Sequence, residues 1–212
     1  MAHLADIFLQ PGKVFADLRE HPKFALPLLV IVVLSAALPL WYFLRVDGAW
    51  YTEHMLLAAG REVSAADIEK TKAMMPGAHA MAYIGAASSA ITITVIFALY
   101  ALYLMLAGKV TGGAMTFKRG FSLATWSSMP MVLGSLVALA GVAMMSPQTP
   151  IESLMLTNVD PLLLHLPPES PWATLARSFS LLNFWSWTQS AVVALLPSVL
   201  IYGGMALFAM LK

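Results

Sequence analysis

The chain has 212 residues, of which 59% are hydrophobic and 11% charged. A soluble domain carries about a quarter charged residues, so this composition predicts a membrane protein, with a single all-α helical bundle over residues 1–212 as its fold. The net charge of +1 excludes the concentrated basic face of a nucleic-acid binder. The absence of cysteine excludes disulfides and thiolate metal sites.

The N-terminal segment, residues 1–23, is predicted to form a short helix on the cytoplasmic surface of the membrane. Pro11 suits the first position of a helix, and Val14, Phe15 and Leu18 then share one face. A signal peptide is the alternative. The apolar run that follows is too long for one and lacks a small-residue cleavage site, so we expect the segment to be retained.

Uncharged stretches predict five transmembrane helices, because about 20 apolar residues cross a hydrocarbon core of about 30 Å. The predicted spans are residues 24–44, 80–107, 121–145, 173–196 and 198–211. Pro130 lies inside the third span and predicts a bend. The last uncharged run is too long for one straight crossing, so we predict a break at Pro197. A single span followed by a re-entrant tail over residues 197–212 is the alternative.

The loops between the predicted spans differ in charge. Residues 45–77 carry four positive and five negative charges, and Ser64 gives a helix-start signal, so two short helices are expected there on the outer surface. Residues 146–171 carry three acids and no Lys or Arg, which is typical of an outer loop. Within it, the LLLH stretch from Leu162 to His165 is expected to press into the outer leaflet or cap the bundle.

The loop between the second and third spans is the best functional surface in the sequence. It carries Lys109, Lys118 and Arg119 and no acid, which is typical of a cytoplasmic loop. The cations attract anionic lipid headgroups, and Phe117 can insert among them. Two interpretations follow: the loop binds lipid or a protein partner, or its cations only set the orientation of the chain.

Hydroxyl side chains in the second and third spans offer a polar cavity. Ser88 and Thr92 share a helix face, and Ser127 lies near Pro130. These groups also fit hydrogen bonds between helices or to their own backbone. A channel or carrier for a small solute is therefore the alternative function.

Small residues in the spans predict close helix packing. The candidates are Gly85, Gly134, Ala138 and Gly141. Packing within one bundle is the default expectation, and a homo-oligomer interface is the alternative.

No catalytic residue, cofactor or metal site is predicted. Acidic and histidine side chains outside the spans match no metal-binding spacing, which favours solvated side chains. They are Glu53, His54, His79, Asp160 and His165. Nucleophile triads, phosphate-binding loops and dinucleotide motifs are absent, so the sequence predicts a non-enzymatic protein.

Four stretches resemble bacterial members of the Yip family, the polytopic relatives of the Ypt/Rab-interacting proteins. They are IFLQPGKVFADLREHPKFALPLLV, WYTEHMLLAAGREVS, GGAMTFKRGFSLATWSSMP and LLNFWSW. The resemblance implies five spans, a cytoplasmic N-terminus and a bacterial inner membrane, and it favours two spans in the C-terminal region. For eukaryotic relatives it implies vesicle transport with Rab-type GTPases and self-association. We therefore predict a membrane-organising or partner-binding scaffold whose protein partner, in the membrane or the cytoplasm, is unknown.

Overall fold

The computed structural model describes residues 2–58, 64–110, 112–167, 170–183 and 202–210. These residues are mainly helical, which confirms the predicted all-α fold. The helices are α1 (Ala2–Leu9), α2 (Pro11–Glu20), α3 (Ala25–Phe43), α4 (Gly48–Ala58), α5 (Ala65–Met74), α6 (Ala78–Val110), α7 (Phe117–Ser127), α8 (Met131–Met144) and α9 (Ala173–Ser178). Residues 202–210 are also helical. No strand occurs in the described part of the chain beyond an isolated bridge between Asn158 and Ser180.

The first three predicted spans correspond to helices of the structure. Among the described residues, α3 and α6 are each long and apolar enough to cross a membrane, and α7 with α8 forms a third candidate that is bent by 47°. The bend lies at Pro130, as predicted, because a proline cannot donate the backbone hydrogen bond that continues a helix. α6 has 33 residues, about 50 Å of helix, so it exceeds the thickness of the hydrocarbon core.

The region of the fourth predicted span starts differently from the expectation of one continuous helix. α9 ends at Ser178, and the backbone is extended at Phe179, with φ −94° and ψ 111°. The amide of Leu181 donates to the carbonyl oxygen of Thr157 at 2.9 Å, so pairing with a distant segment replaces helical hydrogen bonds here. The rest of this span and the predicted break at Pro197 fall in residues 184–201, outside the described residues.

α3 is the central helix of the bundle, and α6 runs antiparallel to it. A Cβ atom added at Gly85, near the start of α6, would lie 3.1 Å from Cβ of Pro39 near the end of α3. At the opposite end, Phe97 and Ala101 of α6 pack with Phe24, which immediately precedes α3. The long apolar faces of both helices are therefore matched over most of the length of α3.

α8 packs on α3 in the parallel direction. Val132 at its start belongs to the apolar cluster that contacts Ile31 and Leu34. Val142 near its end packs with Tyr42. The hydroxyl group of Tyr42 donates to the carbonyl oxygen of Thr149 at 2.9 Å, so the segment after α8 also begins beside the end of α3.

The N-terminal helices dock on the bundle. Val14 is fully buried and Leu18 is 6% exposed, and both pack against Trp126 and Met129. The apolar face of α2 is therefore covered by the α7–α8 hinge.

The two short helices predicted between the first and second spans are present as α4 and α5. Asp47 caps α4, since its Oδ1 atom accepts hydrogen bonds from the amides of Ala49 at 2.9 Å and Trp50 at 3.1 Å. α5 begins directly after Ser64, the residue that gave the helix-start signal. Side-chain capping of otherwise unsatisfied amides accounts for the start of α4.

The packing gives the bundle two chemically different ends. The basic end combines the start of α3 with the end of α6 and the start of α7, and there the rings of Phe24 and Phe121 lie 4.9 Å apart. The acidic end combines the end of α3 with α4 and the segment after α8. There the amide of Asp47 donates to the carbonyl oxygen of Pro147 at 2.8 Å, and the guanidinium of Arg45 donates to that of Ala143 at 2.9 Å.

Candidate functional site

The basic face at the end of α6 and the start of α7 is the candidate site; it consists of Lys109, Phe117, Lys118 and Arg119. Lys109 lies in the last turn of α6 and is exposed. Lys118 and Arg119 are exposed in the first turn of α7. The structure thus brings the three cations to the same end of the bundle.

Local hydrogen bonds shape the start of α7. The side-chain oxygen of Thr116 accepts from the amide of Arg119 at 3.3 Å, which is an N-terminal cap. The guanidinium of Arg119 donates to the carbonyl oxygen of Ala114 at 3.2 Å. Phe117 remains 44% exposed, with its ring 5.9 Å from that of Phe121. An aromatic ring is therefore exposed beside the cations.

A close approach between α6 and α7 fixes where the basic face lies. A Cβ atom added at Gly120 would lie 2.9 Å from the carbonyl oxygen of Ala101 and 3.3 Å from Cβ of Leu104. Only glycine leaves room for this contact, because the neighbouring atoms belong largely to backbone. Sequence reasoning did not single out Gly120. Its only sequence signal is a glycine within an amphipathic helix.

Buried polar groups of α7 tie the same helix to the start of α3. The indole Nε1 of Trp126 donates to the carbonyl oxygen of Lys23 at 2.7 Å. The hydroxyl of Ser122 donates to the same oxygen at 2.9 Å. The site is therefore held by α6 on one side and by the α2–α3 connection on the other.

The residues of the predicted polar cavity have different environments. Ser88 and Thr92 are exposed on α6, and the Ser88 hydroxyl donates to the carbonyl oxygen of Gly85 at 3.1 Å. Ser127 is buried, with its hydroxyl 2.6 Å from the carbonyl oxygen of Leu123, and Pro130 is also buried. The structure does not bring the exposed and buried hydroxyls to a common surface.

The predicted packing residues all lie at contacts within the chain. Gly85 lies against α3, as described above, and Ala138 is fully buried. A Cβ atom added at Gly141 would lie 3.1 Å from Cδ2 of Leu154. These contacts fit the default expectation of packing within one bundle.

A polar cluster at the acidic end was not foreseen. Nε2 of His54 lies 2.8 Å from Oε1 of Glu152, and Nε of Arg177 donates to Oδ2 of Asp160 at 3.1 Å. Nη1 of Arg177 is 3.9 Å from Oε1 of Glu152, which links the two pairs. The expectation of solvated side chains is therefore wrong for His54 and Asp160. No sequence signal identifies these partners, because His54 and Glu152 are 98 positions apart.

The electrostatics of the acidic end follow from this cluster. Burial raises the pKa of Tyr51, and the nearby carboxylate of Glu152 raises that pKa further. Within the described residues, no group of three or more His, Cys, Asp or Glu side chains is placed to hold a metal ion. The pairing with Arg177 fits a structural role for the carboxylates.

The chain matches one family model, the Yip1 domain, over residues 5–212. Comparison with curated proteins and with solved structures gave no match. The match covers nearly the whole chain, and the apolar helices of the structure agree with a protein embedded in a bilayer. The chain therefore belongs to the Yip1 domain family of membrane proteins, which fits a membrane-associated, non-enzymatic role.

Proposed function

We propose that this protein is a membrane-organising scaffold whose basic face binds anionic lipid headgroups. The observation that supports this function most strongly is the grouping of Lys109, Lys118 and Arg119 in exposed positions at one end of the bundle. Cations close to a membrane surface attract anionic lipids by about 1 kcal/mol each.

The cations of the basic face have no acidic neighbours along the chain. No Asp or Glu occurs between Glu69 and Glu152, an interval that contains α6, α7 and α8. None of the three cations forms an ion pair with a described carboxylate. Their charge is therefore available to an external anion.

The position of two of these cations is unfavourable for the helix itself. Lys118 and Arg119 lie in the first turn of α7, where the positive end of the helix dipole disfavours cations by about 0.3–1 kcal/mol each. An anionic headgroup offsets this cost. The half-exposed ring of Phe117 lies beside them, where an aromatic side chain can insert between headgroups.

The two ends of the bundle support an orientation for the scaffold. Loops rich in Lys and Arg stay on the cytoplasmic side, so the basic end, the N-terminus and α2 face the cytoplasm, and the acidic end faces the opposite compartment. A bacterial inner membrane is the proposed location. Once lipid holds the basic face at the membrane surface, a protein partner or a second copy of the chain can dock beside it.

Selectivity for anionic lipid tests this function. The protein is reconstituted with spin-labelled phosphatidylserine or phosphatidylcholine at low ionic strength, and the fraction of motionally restricted lipid gives the relative affinity. The double variant Lys118→Gln/Arg119→Gln is expected to lose up to about 2 kcal/mol of preference for the anionic lipid, which is up to about 30-fold.

The matched control removes the same charge at the acidic end, in α5, with Lys70→Gln/Lys72→Gln. It is expected to leave the lipid preference unchanged, because Lys72 already lies 3.5 Å from Glu69 and 4.0 Å from Glu53. Equal losses in both double variants would show that only net charge matters. No loss in either would refute lipid binding by the basic face.

A further inference from the structure

The segment that follows α8 turns back along α8 instead of remaining outside the bundle. Leu154 packs against Gly141, one turn before the end of α8. A Cβ atom added at Gly134 would lie 2.8 Å from Oγ1 of Thr157 and 3.3 Å from Cδ1 of Leu182. Two stretches of this segment therefore reach Gly134, which lies in the first turn of α8.

Helix geometry gives the depth of this contact. Gly134 precedes Met144, the last residue of α8, by ten positions, which is about 15 Å of helix. Near Gly134, Val132 belongs to the cluster that contacts Ile31 and Leu34, and these residues lie in the middle of the 19-residue helix α3. α3 is about 28 Å long, close to the thickness of the hydrocarbon core. Thr157 therefore lies near the middle of the bundle.

The backbone at this depth is irregular and paired. The amide of Val159 donates to the carbonyl oxygen of Phe179, and that of Leu181 donates to the carbonyl oxygen of Thr157, both at 2.9 Å. Non-helical backbone at membrane depth is tolerated only where it is buried in protein or lines a water-filled cavity. The two hydrogen bonds satisfy part of the backbone at this depth. Thr157 and Asn158 nevertheless remain partly exposed, so burial in protein alone does not account for them.

Polar side chains continue from the acidic end toward this contact. Glu152 bridges His54 and Arg177, and the side-chain amide of Asn158 donates to the carbonyl oxygen of Arg177. The side chains of Glu152 and Arg177 are 27% and 22% exposed. Charged groups facing hydrocarbon are costly, and this pair is bonded to His54 of α4, so its exposed part opens to the water at the acidic end.

We propose that residues 151–167 and 170–183 re-enter the bilayer from the acidic end and form one wall of a water-filled vestibule that reaches the middle of the bundle. The vestibule admits water and small hydrophilic solutes to Asn158. The apolar side of the segment faces lipid, which accounts for the exposure of Leu156 (48%) and Leu163 (62%). This vestibule lies at the opposite end of the molecule from the basic face, and its existence is independent of lipid binding there.

Reaction of single cysteines tests access of water, because the native chain contains no cysteine. Asn158→Cys is expected to react with a membrane-impermeant cationic methanethiosulfonate added at the acidic side, severalfold more slowly than the exposed Gln148→Cys. Val137→Cys, at a similar depth on an exposed face of α8, is expected not to react. If Asn158→Cys does not fold, Thr157→Cys, a change of similar size, takes its place. If the thiol at residue 158, or at residue 157 in the replacement variant, reacts no faster than the thiol at residue 137, the vestibule proposal is overturned.

Depth is measured separately at Leu156, which directly precedes Thr157. Bimane attached to Leu156→Cys is expected to be quenched more strongly by lipids that carry a nitroxide at the middle of the acyl chain than by headgroup-labelled lipids. Bimane at Gln148→Cys is expected to show the opposite order. Stronger headgroup quenching at residue 156, or equal reaction rates at residues 148 and 158, would mean that the segment lies outside the membrane and would overturn the proposal.

Discussion

The substitution Gly120→Ala tests the contact that positions α7 and the basic face. The added methyl group would lie 2.9 Å from the carbonyl oxygen of Ala101 and 3.2 Å from its Cα atom. Both atoms belong to the backbone of α6, so they cannot move away as the tip of a side chain can. α7 has to shift, which weakens its packing on α6.

Two opposing terms decide the size of the effect. Overpacking a close contact costs about 1–3 kcal/mol, while replacing glycine by alanine within a helix gains about 1 kcal/mol. Gly12→Ala is the matched control, because Gly12 lies in α2 and has no atom within 4 Å of an added Cβ. Since both substitutions share the gain in helix propensity, the difference between them isolates the overpacking cost, about 1–3 kcal/mol.

The free energy of unfolding is measured by titrating dodecyl sulfate into mixed micelles and following helicity by circular dichroism. We expect Gly120→Ala to unfold at lower dodecyl sulfate than Gly12→Ala, and Gly12→Ala to unfold at equal or higher dodecyl sulfate than the wild type. If Gly120→Ala were as stable as Gly12→Ala, the close approach of α6 and α7 at this position would be refuted.

Three further predictions concern other contacts and use the same unfolding measurement, to which the third adds an absorbance titration. Arg177→Met leaves Asp160, which is 7% exposed, without its cation, so we expect a loss of about 3 kcal/mol; adding Asp160→Asn should reduce that loss. Trp126→Phe removes a buried indole donor and should cost about 1 kcal/mol. The raised pKa of Tyr51 means that the folded state keeps this proton after the unfolded chain has lost it, so stability falls as pH rises from about 10. Tyr51→Phe should flatten that decline, and Glu152→Gln should lower the pKa of Tyr51 in an alkaline absorbance titration.

Particular outcomes contradict these three predictions. A double variant Arg177→Met/Asp160→Asn that is less stable than Arg177→Met alone would show that the unpaired carboxylate is not the source of the loss. An unchanged midpoint for Trp126→Phe would show that the indole hydrogen bond does not contribute. An unaltered alkaline decline in Tyr51→Phe would mean that another group controls stability at high pH.

The first three spans were predictable because their signal is local. Each is a run of apolar residues whose length can be compared directly with the thickness of a bilayer. The bend at Pro130 was predictable for a similar reason, since a proline removes a specific backbone hydrogen bond. The start of α5 directly after Ser64 likewise agrees with a local helix-start signal.

The segment after α8 was only partly predictable. Its charge indicated the outer side, and the acidic end does hold Glu152 and Asp160. The path of the segment along α8 was not foreseen. Gly134 and Gly141 indicate that another segment packs closely on α8, but they do not indicate which segment. Extended backbone at Phe179 replaces the helix that an uncharged sequence favours. Tertiary pairing overrides local preference at this position.

The sequence alone determined that the chain is apolar enough for a bilayer, where its first three candidate spans lie and which loop is basic, because hydropathy and charge are properties of each stretch by itself. The tertiary structure alone decided that Gly120 meets the backbone of α6, that His54 and Glu152 are partners and that Thr157 lies beside Gly134. Each of these contacts joins segments that are distant in the sequence. Their formation depends on how the helices pack against one another, and no single stretch contains that information.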